Sequence, residues 1–160
     1  MIELKNRTVC FTGHRKITPK QVASLARRLK TVIVELIDTG YLYFGAGGAL
    51  GFDTLAAQTI LDLKTDYPQI KLILVLPCLS QADAWSSEDK EIYEYIKANA
   101  DKVVYTSREY ARGCMHKRNR HLVDNSIACV CYLTEKTGGT AYTVEYATIK
   151  GLLVINTAEK

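Results

Sequence analysis

The chain has 160 residues, 48% of them hydrophobic and 24% charged, and a net charge of +4. This is the length of one domain with one sizeable core, expected to run over 1–160, and the composition of an ordinary globular protein rather than a disordered or fibrous one. The mild positive charge suits an anionic ligand without demanding nucleic acid, and apolar runs such as Leu72 to Leu76 are far too short to span a bilayer.

The opening "MIELKNRTVCFTGHR" has no long apolar stretch ahead of a small-residue cleavage site, so no signal peptide is expected. Within it Thr8-Val9-Cys10-Phe11 is a buried strand that stops at Thr12-Gly13. Thr18 as N-cap and Pro19 in the first turn start a helix. Val22, Leu25, Leu29, Val32, Ile33, Leu36 and Ile37 then recur at helical spacing as far as Gly40. Tyr41 to Phe44 is a second strand, followed by the glycine-rich "GAGGALG" and a helix from about Asp53 to Lys64. The run "KLILVLP" is a third strand, and Ser86-Ser87-Glu88 opens a helix carrying Ile92, Tyr95 and Ile96. Lys102 to Tyr105 is a fourth strand, a helix starts near Gly113, and Ile127 to Leu133 is a fifth strand. A helix from about Thr140 to Lys150 leads into the last strand, "LLVIN". Regular alternation of helices with continuously apolar strands predicts an α/β fold, a doubly wound and mostly parallel sheet covered on both faces. Five cysteines (Cys10, Cys78, Cys114, Cys129, Cys131) form an odd set without CxxC spacing. Reduced core thiols in a cytoplasmic protein are expected from them, with no metal or cofactor site.

In such a sheet ligands bind beyond the carboxyl ends of the strands, near the point where strand order reverses. Thr12-Gly13-His14-Arg15 follows the first strand, Gly45 to Asp53 the second, Pro77 to Trp85 the third and Gly138 to Glu145 the fifth. The segment "GAGGALGFD" has two readings: an anion site built from exposed N–H groups and a helix N-terminus, or a tight turn whose glycines serve packing. Asp53 either caps the helix or hydrogen-bonds a ribose hydroxyl. The stretch "REYARGCMHKRNRHLVDNS" is a solvated basic helix, an anion grip with one or two side chains turned inward, or a nucleic-acid patch poor in interleaved aromatics. A helix from Gly113 places Cys114, Arg118 and His121 roughly on one face. His14 and His116 are candidate acid or base groups.

"FTGHR", "GAGGALGFDTLAA", "CMHKRN" and "GGTAYTVEYA", in this order and spacing, resemble the SLOG superfamily of Rossmann-like proteins, and within it the YpsA-like branch, the DUF1273 group of bacterial proteins. The superfamily includes the LOG phosphoribohydrolases and the DNA-processing protein DprA. LOG enzymes carry a Met-His-x-Arg-Lys segment and a Pro-Gly-Gly-x-Gly-Thr-x-x-Glu segment, whose Arg and Glu are their catalytic pair. The first is similar to Met115-His116-Lys117-Arg118, with Asn119 in place of Lys. The second is similar to Gly138 through Glu145, with Thr137 for Pro, Ala141 for Gly and Tyr142 for Thr.

On this resemblance the glycines and the N-terminus of the last helix hold a phosphate. Glu145, about a turn and a half further on, faces the ribose and stabilises an oxocarbenium-like centre; otherwise it complements the helix dipole or pairs with Arg118. The candidate ligand-binding set is Gly13, His14, Arg15, Gly47, Gly48, Gly51, Asp53, Trp85, Arg118, Asn119, Gly138, Gly139, Thr140 and Glu145, with Glu145 and Arg118 catalytic only if the protein is an enzyme. The altered Ala141-Tyr142 pair favours a sensor that binds a nucleotide or ADP-ribose-like ligand and signals to a protein partner. The alternatives are a phosphoribohydrolase acting on a nucleoside monophosphate and a DprA-like single-stranded DNA binder. The resemblance further implies self-association as a homo-oligomer; neither nucleic acid nor a membrane is an expected partner.

Overall fold

A computed structural model describes residues 4–158. After a short 3-10 turn, six strands alternate with five helices. These are β1 (Thr8–Gly13), α1 (Pro19–Thr39), β2 (Tyr43–Ala46), α2 (Phe52–Leu63), β3 (Lys71–Leu76) and α3 (Ser87–Asn99), then β4 (Lys102–Tyr105), α4 (Cys114–Asp124), β5 (Ala128–Tyr132), α5 (Gly139–Ile149) and β6 (Leu153–Asn156). All strand pairs are parallel. Their order is β4-β3-β2-β1-β5-β6, so the sheet reverses direction of growth between β1 and β5. This is the doubly wound, Rossmann-like α/β fold that the alternating pattern predicts.

The two faces are packed by different helices. Val9 and Phe11 of β1 join Phe44, Leu72 and Leu74 under Leu25, Leu29 and Ile33 of α1 and Ala56, Ala57 and Ile60 of α2. Cys10, Cys129 and Cys131 point the other way, against Leu122 and Val123 of α4 and Ala147 of α5. All five cysteines are free and buried, behaving as small apolar side chains. Among the described residues no helix is long and apolar enough to cross a membrane.

Local chemistry explains the element ends. Thr18 stands at the N-cap of α1 with extended backbone, and the Gln21 side chain accepts a hydrogen bond from its N–H at 3.4 Å. Ser86 caps α3 by accepting from Asp89 N–H at 3.1 Å. The expected second strand, Tyr41 to Phe44, is displaced. Gly40 takes φ +113° and Tyr41 N–H donates to Leu36 C=O at 3.1 Å, so Tyr41 still belongs to the closure of α1. At the other end β2 runs on through Gly45, where a Cβ would stand 2.9 Å from the Leu122 side chain. That glycine is a strand residue under α4, not the start of a loop.

Candidate functional site

The switch point between β1 and β5 opens into a polar cleft of about 320 Å³. Its floor and walls come from the β1 end (Thr12 to Arg15), Ala49 and Asp53 at the start of α2, the first turns of α4, and the β5–α5 connection into Gly138, Gly139 and Thr140. This volume is at the small end of ligand sites and of mononucleotide scale.

The β1 end is clamped from both sides. A Cβ on Gly13 would overlap the Phe52 ring, and one on Gly51, whose φ is +78°, would overlap the Arg15 backbone. Phe52 N–H donates to His14 C=O at 3.1 Å. The His14 ring accepts at Nε2 from Thr134 N–H at 2.9 Å and packs edge-on to Tyr132 at 5.7 Å. Arg15 is exposed at the rim.

Arg118 is 3% exposed and lies behind this rim. Its Nη1 donates to Gly47 C=O and, at 3.3 Å, to Gln81 Oε1; its Nε donates to Asn119 Oδ1 at 2.6 Å. The bond recorded for Nη2 is a weak one, to Met115 Sδ at 3.9 Å. Burial pulls the guanidinium below its ordinary pKa, and Asp53 acts in the opposite sense. Asn119 passes the connection on: its Nδ2 donates to Thr143 Oγ1 at 3.1 Å, which donates to Gly139 C=O at 2.9 Å. A continuous chain of hydrogen bonds therefore joins the loop after β2 to the first residue of α5. Asp53 is also buried. Desolvation pushes its carboxyl up to about 6, against the pull of Arg118, a bond from Ala49 N–H at 3.3 Å, and Arg15.

The opening of α5 has a different character. Gly138 takes φ +105°, no side chain caps the helix, and the space where Cβ atoms of Gly138 and Gly139 would stand is open. The first turn of α5, the positive end of its dipole, therefore lines the cleft, and among the described residues no side chain is bonded to its first N–H groups.

The structure thus gathers Gly13, His14, Arg15, Asp53, Arg118, Asn119, Gly138, Gly139 and Thr140 at one cleft. It does not gather the other five of the candidate set. Gly47 and Gly48 lie behind the cleft wall as packing glycines: a Cβ on Gly47 would stand 2.7 Å from Arg118 Nη1, and one on Gly48 would stand 2.5 Å from Leu76. Gly51 likewise serves the close approach of the Arg15 backbone. Trp85 is half-buried against Tyr93, with ring centroids 5.2 Å apart, and does not reach the cleft. Glu145 is exposed and outside it. The reason is helical phase: Thr143 and Ala147 are the buried residues of α5, and Glu145, two residues from each, is turned about 200° from both. His121 is likewise exposed, whereas Cys114, Arg118 and Leu122 are the buried stripe of α4.

Other lining residues come from the same loops. Glu135 and Thr137 sit between β5 and α5, a rim segment whose place the strand order alone implied. His116, singled out only as a candidate acid or base, lines the cleft with its ring edge-on to Tyr142 at 4.5 Å; its Nδ1 is buried with no partner among the described residues. Gln81 supports Arg118 from 37 residues away, a contact that no local pattern signals.

An all-parallel sheet of this order, with its polar cleft at the reversal, places the chain in the Rossmann-like class. Residues 9–151 match YpsA, described as the YspA SLOG family, and the chain belongs to that family. UPF0398 proteins of Bacillus thuringiensis (strain Al Hakam) and Bacillus cereus (strain Q1) are each 30% identical over 133 residues, covering 81% of this chain and 72% of theirs. Two solved structures share the fold at 20% identity over 94% of this chain. DNA processing protein A (DprA) from Streptococcus pneumoniae has a TM-score of 0.68, with 50% of its chain covered. DNA processing protein A from Helicobacter pylori, described for its single-stranded DNA binding mode, has a TM-score of 0.65, with 66% covered. The chain therefore spans half to two thirds of these two proteins.

Proposed function

We propose that the protein binds a phosphate-bearing nucleotide or nucleotide-derived ligand in the switch-point cleft and works as a sensor rather than a hydrolase. The observation that carries this reading is the bare N-terminus of α5, opening with Gly138 and Gly139 onto the cleft where a doubly wound sheet takes its ligands. Arg15 adds positive charge at the rim, and the donor end of Arg118 opposite Met115 adds more at depth. Asp53 and Asn119 supply the acceptor and amide groups that suit sugar hydroxyls. Favouring binding over N-glycosidic cleavage is the outward orientation of Glu145, the carboxylate that the hydrolase reading needs.

Thermal denaturation against a panel of AMP, GMP, ADP-ribose and inorganic phosphate tests the reading. A ligand at about 100 times its Kd adds about 2.7 kcal/mol, which is about 5–10 °C for a chain of this size. Nucleotides are expected to raise Tm and phosphate alone to do so weakly; a flat response at millimolar concentration refutes the proposal. Single-stranded nucleic acid is the second reading, supported by the fold shared with the H. pylori protein and by Lys117, exposed on α4. A short oligonucleotide that raises Tm where mononucleotides do not would select it.

A further inference from the structure

The connection between β5 and α5, residues 134–138, carries the cradle of the proposed site, yet little holds it. At its root Leu133 is paired with Asn156, its N–H donating to Oδ1 at 3.1 Å and its C=O accepting from Nδ2 at 3.0 Å. Beyond that point, among the described residues, Thr134 is the one member of the segment whose N–H has a recorded partner, and the partner is His14 Nε2. His14 in turn is held by its own carbonyl to the first residue of α2 and by its ring to Tyr132. One residue therefore spans the reversal of the sheet, its backbone tied to the α2 side, which carries Asp53, and its ring to the loop that delivers Gly138.

We infer that His14 is a positioning residue that straps the β5–α5 loop in place and so fixes the α5 N-terminus for its ligand. The inference rests on the binding reading for its consequence but not for its geometry. It has a chemical corollary. A neutral ring that accepts at Nε2 carries its proton on Nδ1, so the remaining nitrogen of His14 is a donor and not an acceptor. That polarity matches an anion and opposes a cation.

The test uses the full chain, wild type, His14→Ala and His14→Gln, the last placing an acceptor oxygen near the position of Nε2. Long-range nitrogen NMR of wild type should show the Nδ1–H tautomer. Hydrogen exchange of the segment 134–140 without ligand should accelerate in His14→Ala, with the strands unchanged, and return toward wild type in His14→Gln. AMP affinity should fall about tenfold in His14→Ala, the worth of one well-placed hydrogen bond, and be restored in His14→Gln. An Nε2–H tautomer, unchanged exchange in His14→Ala, or a glutamine variant that exchanges as fast as alanine overturns the inference. Failure of AMP to bind wild type counts against the binding reading alone, because the exchange and tautomer measurements decide the strap without it.

Discussion

Replacing Asp53 by asparagine isolates the electrostatics of the cleft. Burial holds the Asp53 carboxyl at about 6 against an ordinary value of 3.8, the charge of Arg118 notwithstanding. At 1.36 kcal/mol for each pH unit this gap is worth about 3 kcal/mol. The folded carboxyl binds its proton more tightly than the unfolded one. Its contribution to stability is therefore fully present below about pH 4 and is lost as the pH rises through about 6. Asp53→Asn keeps an acceptor for Ala49 N–H and never ionises. Its stability relative to wild type should be constant below about pH 4, where Asp53 is neutral folded and unfolded, and constant again above about pH 7, where it is ionised in both. The difference should grow between about pH 4 and 7 to about 3 kcal/mol in favour of Asp53→Asn, or about 6–12 °C in Tm. Urea unfolding of both proteins across that range measures it, and taking the difference cancels every other carboxylate, Asp101 included. A difference that does not change with pH, or one that turns against Asp53→Asn as pH rises, refutes the reasoning. The second result would mean that the attraction of Arg118 outweighs the cost of burial.

Arg118→Ala should destabilise by about 3–5 kcal/mol, because it leaves Gly47 C=O, Gln81 and Asp53 without their buried partner; chemical denaturation measures it, and a loss below about 1 kcal/mol would show that water replaces the guanidinium freely. Gly138→Val should cost about 1–2 kcal/mol from its left-handed backbone alone, since no neighbour obstructs its Cβ, and should abolish the nucleotide-induced rise in Tm. Glu145→Gln should change stability, nucleotide affinity and any release of free base by no measurable amount; loss of base release in this variant, seen by chromatography, would return Glu145 to the site. Asp101 is the counter-case to Asp53: burial pushes its carboxyl up, but bonds from Lys64 Nζ and Leu72 N–H, with the charges of Lys64 and Lys71, together hold it below its ordinary value. Its stabilisation is present at neutral pH and lost on acidification, so Asp101→Asn should weaken the protein at pH 7 and progressively less as the pH falls below the ordinary carboxylate value of 3.8.

Most of the fold was legible because strand and helix signals in this chain are local. Thr18-Pro19 and Gly40 bracket α1, Ser86 opens α3, and five of the six strands fall where their apolar runs lie. β2 slipped for two reasons of different range: Tyr41 serves the closure of α1, and Gly45 is a strand residue because Leu122, 77 positions on, packs over it. The site was legible to the extent that strand ends locate a rim. The use of each rim residue was not, because it depends on which side of the backbone is occupied. Gly47 and Gly48 look like Gly138 and Gly139 in the sequence. The first pair gives its space to Arg118 and Leu76, while the second leaves its space open. Glu145 sits in register with a catalytic carboxylate by resemblance, yet the phase of α5 set by Thr143 and Ala147 turns it to solvent.

The central claim is that the ligand's phosphate rests on the first amides of α5. Titration of uniformly nitrogen-15-labelled protein with AMP, followed by amide chemical shifts, tests it most directly. The account predicts saturable shifts concentrated on Gly138, Gly139 and Thr140, with smaller ones at His14 and Asn119, and near silence at Gly47, Gly48 and Glu145. Shifts centred on the trough between α1 and α2 around Lys30 and Asp62, or no saturable shift at millimolar AMP, would contradict it.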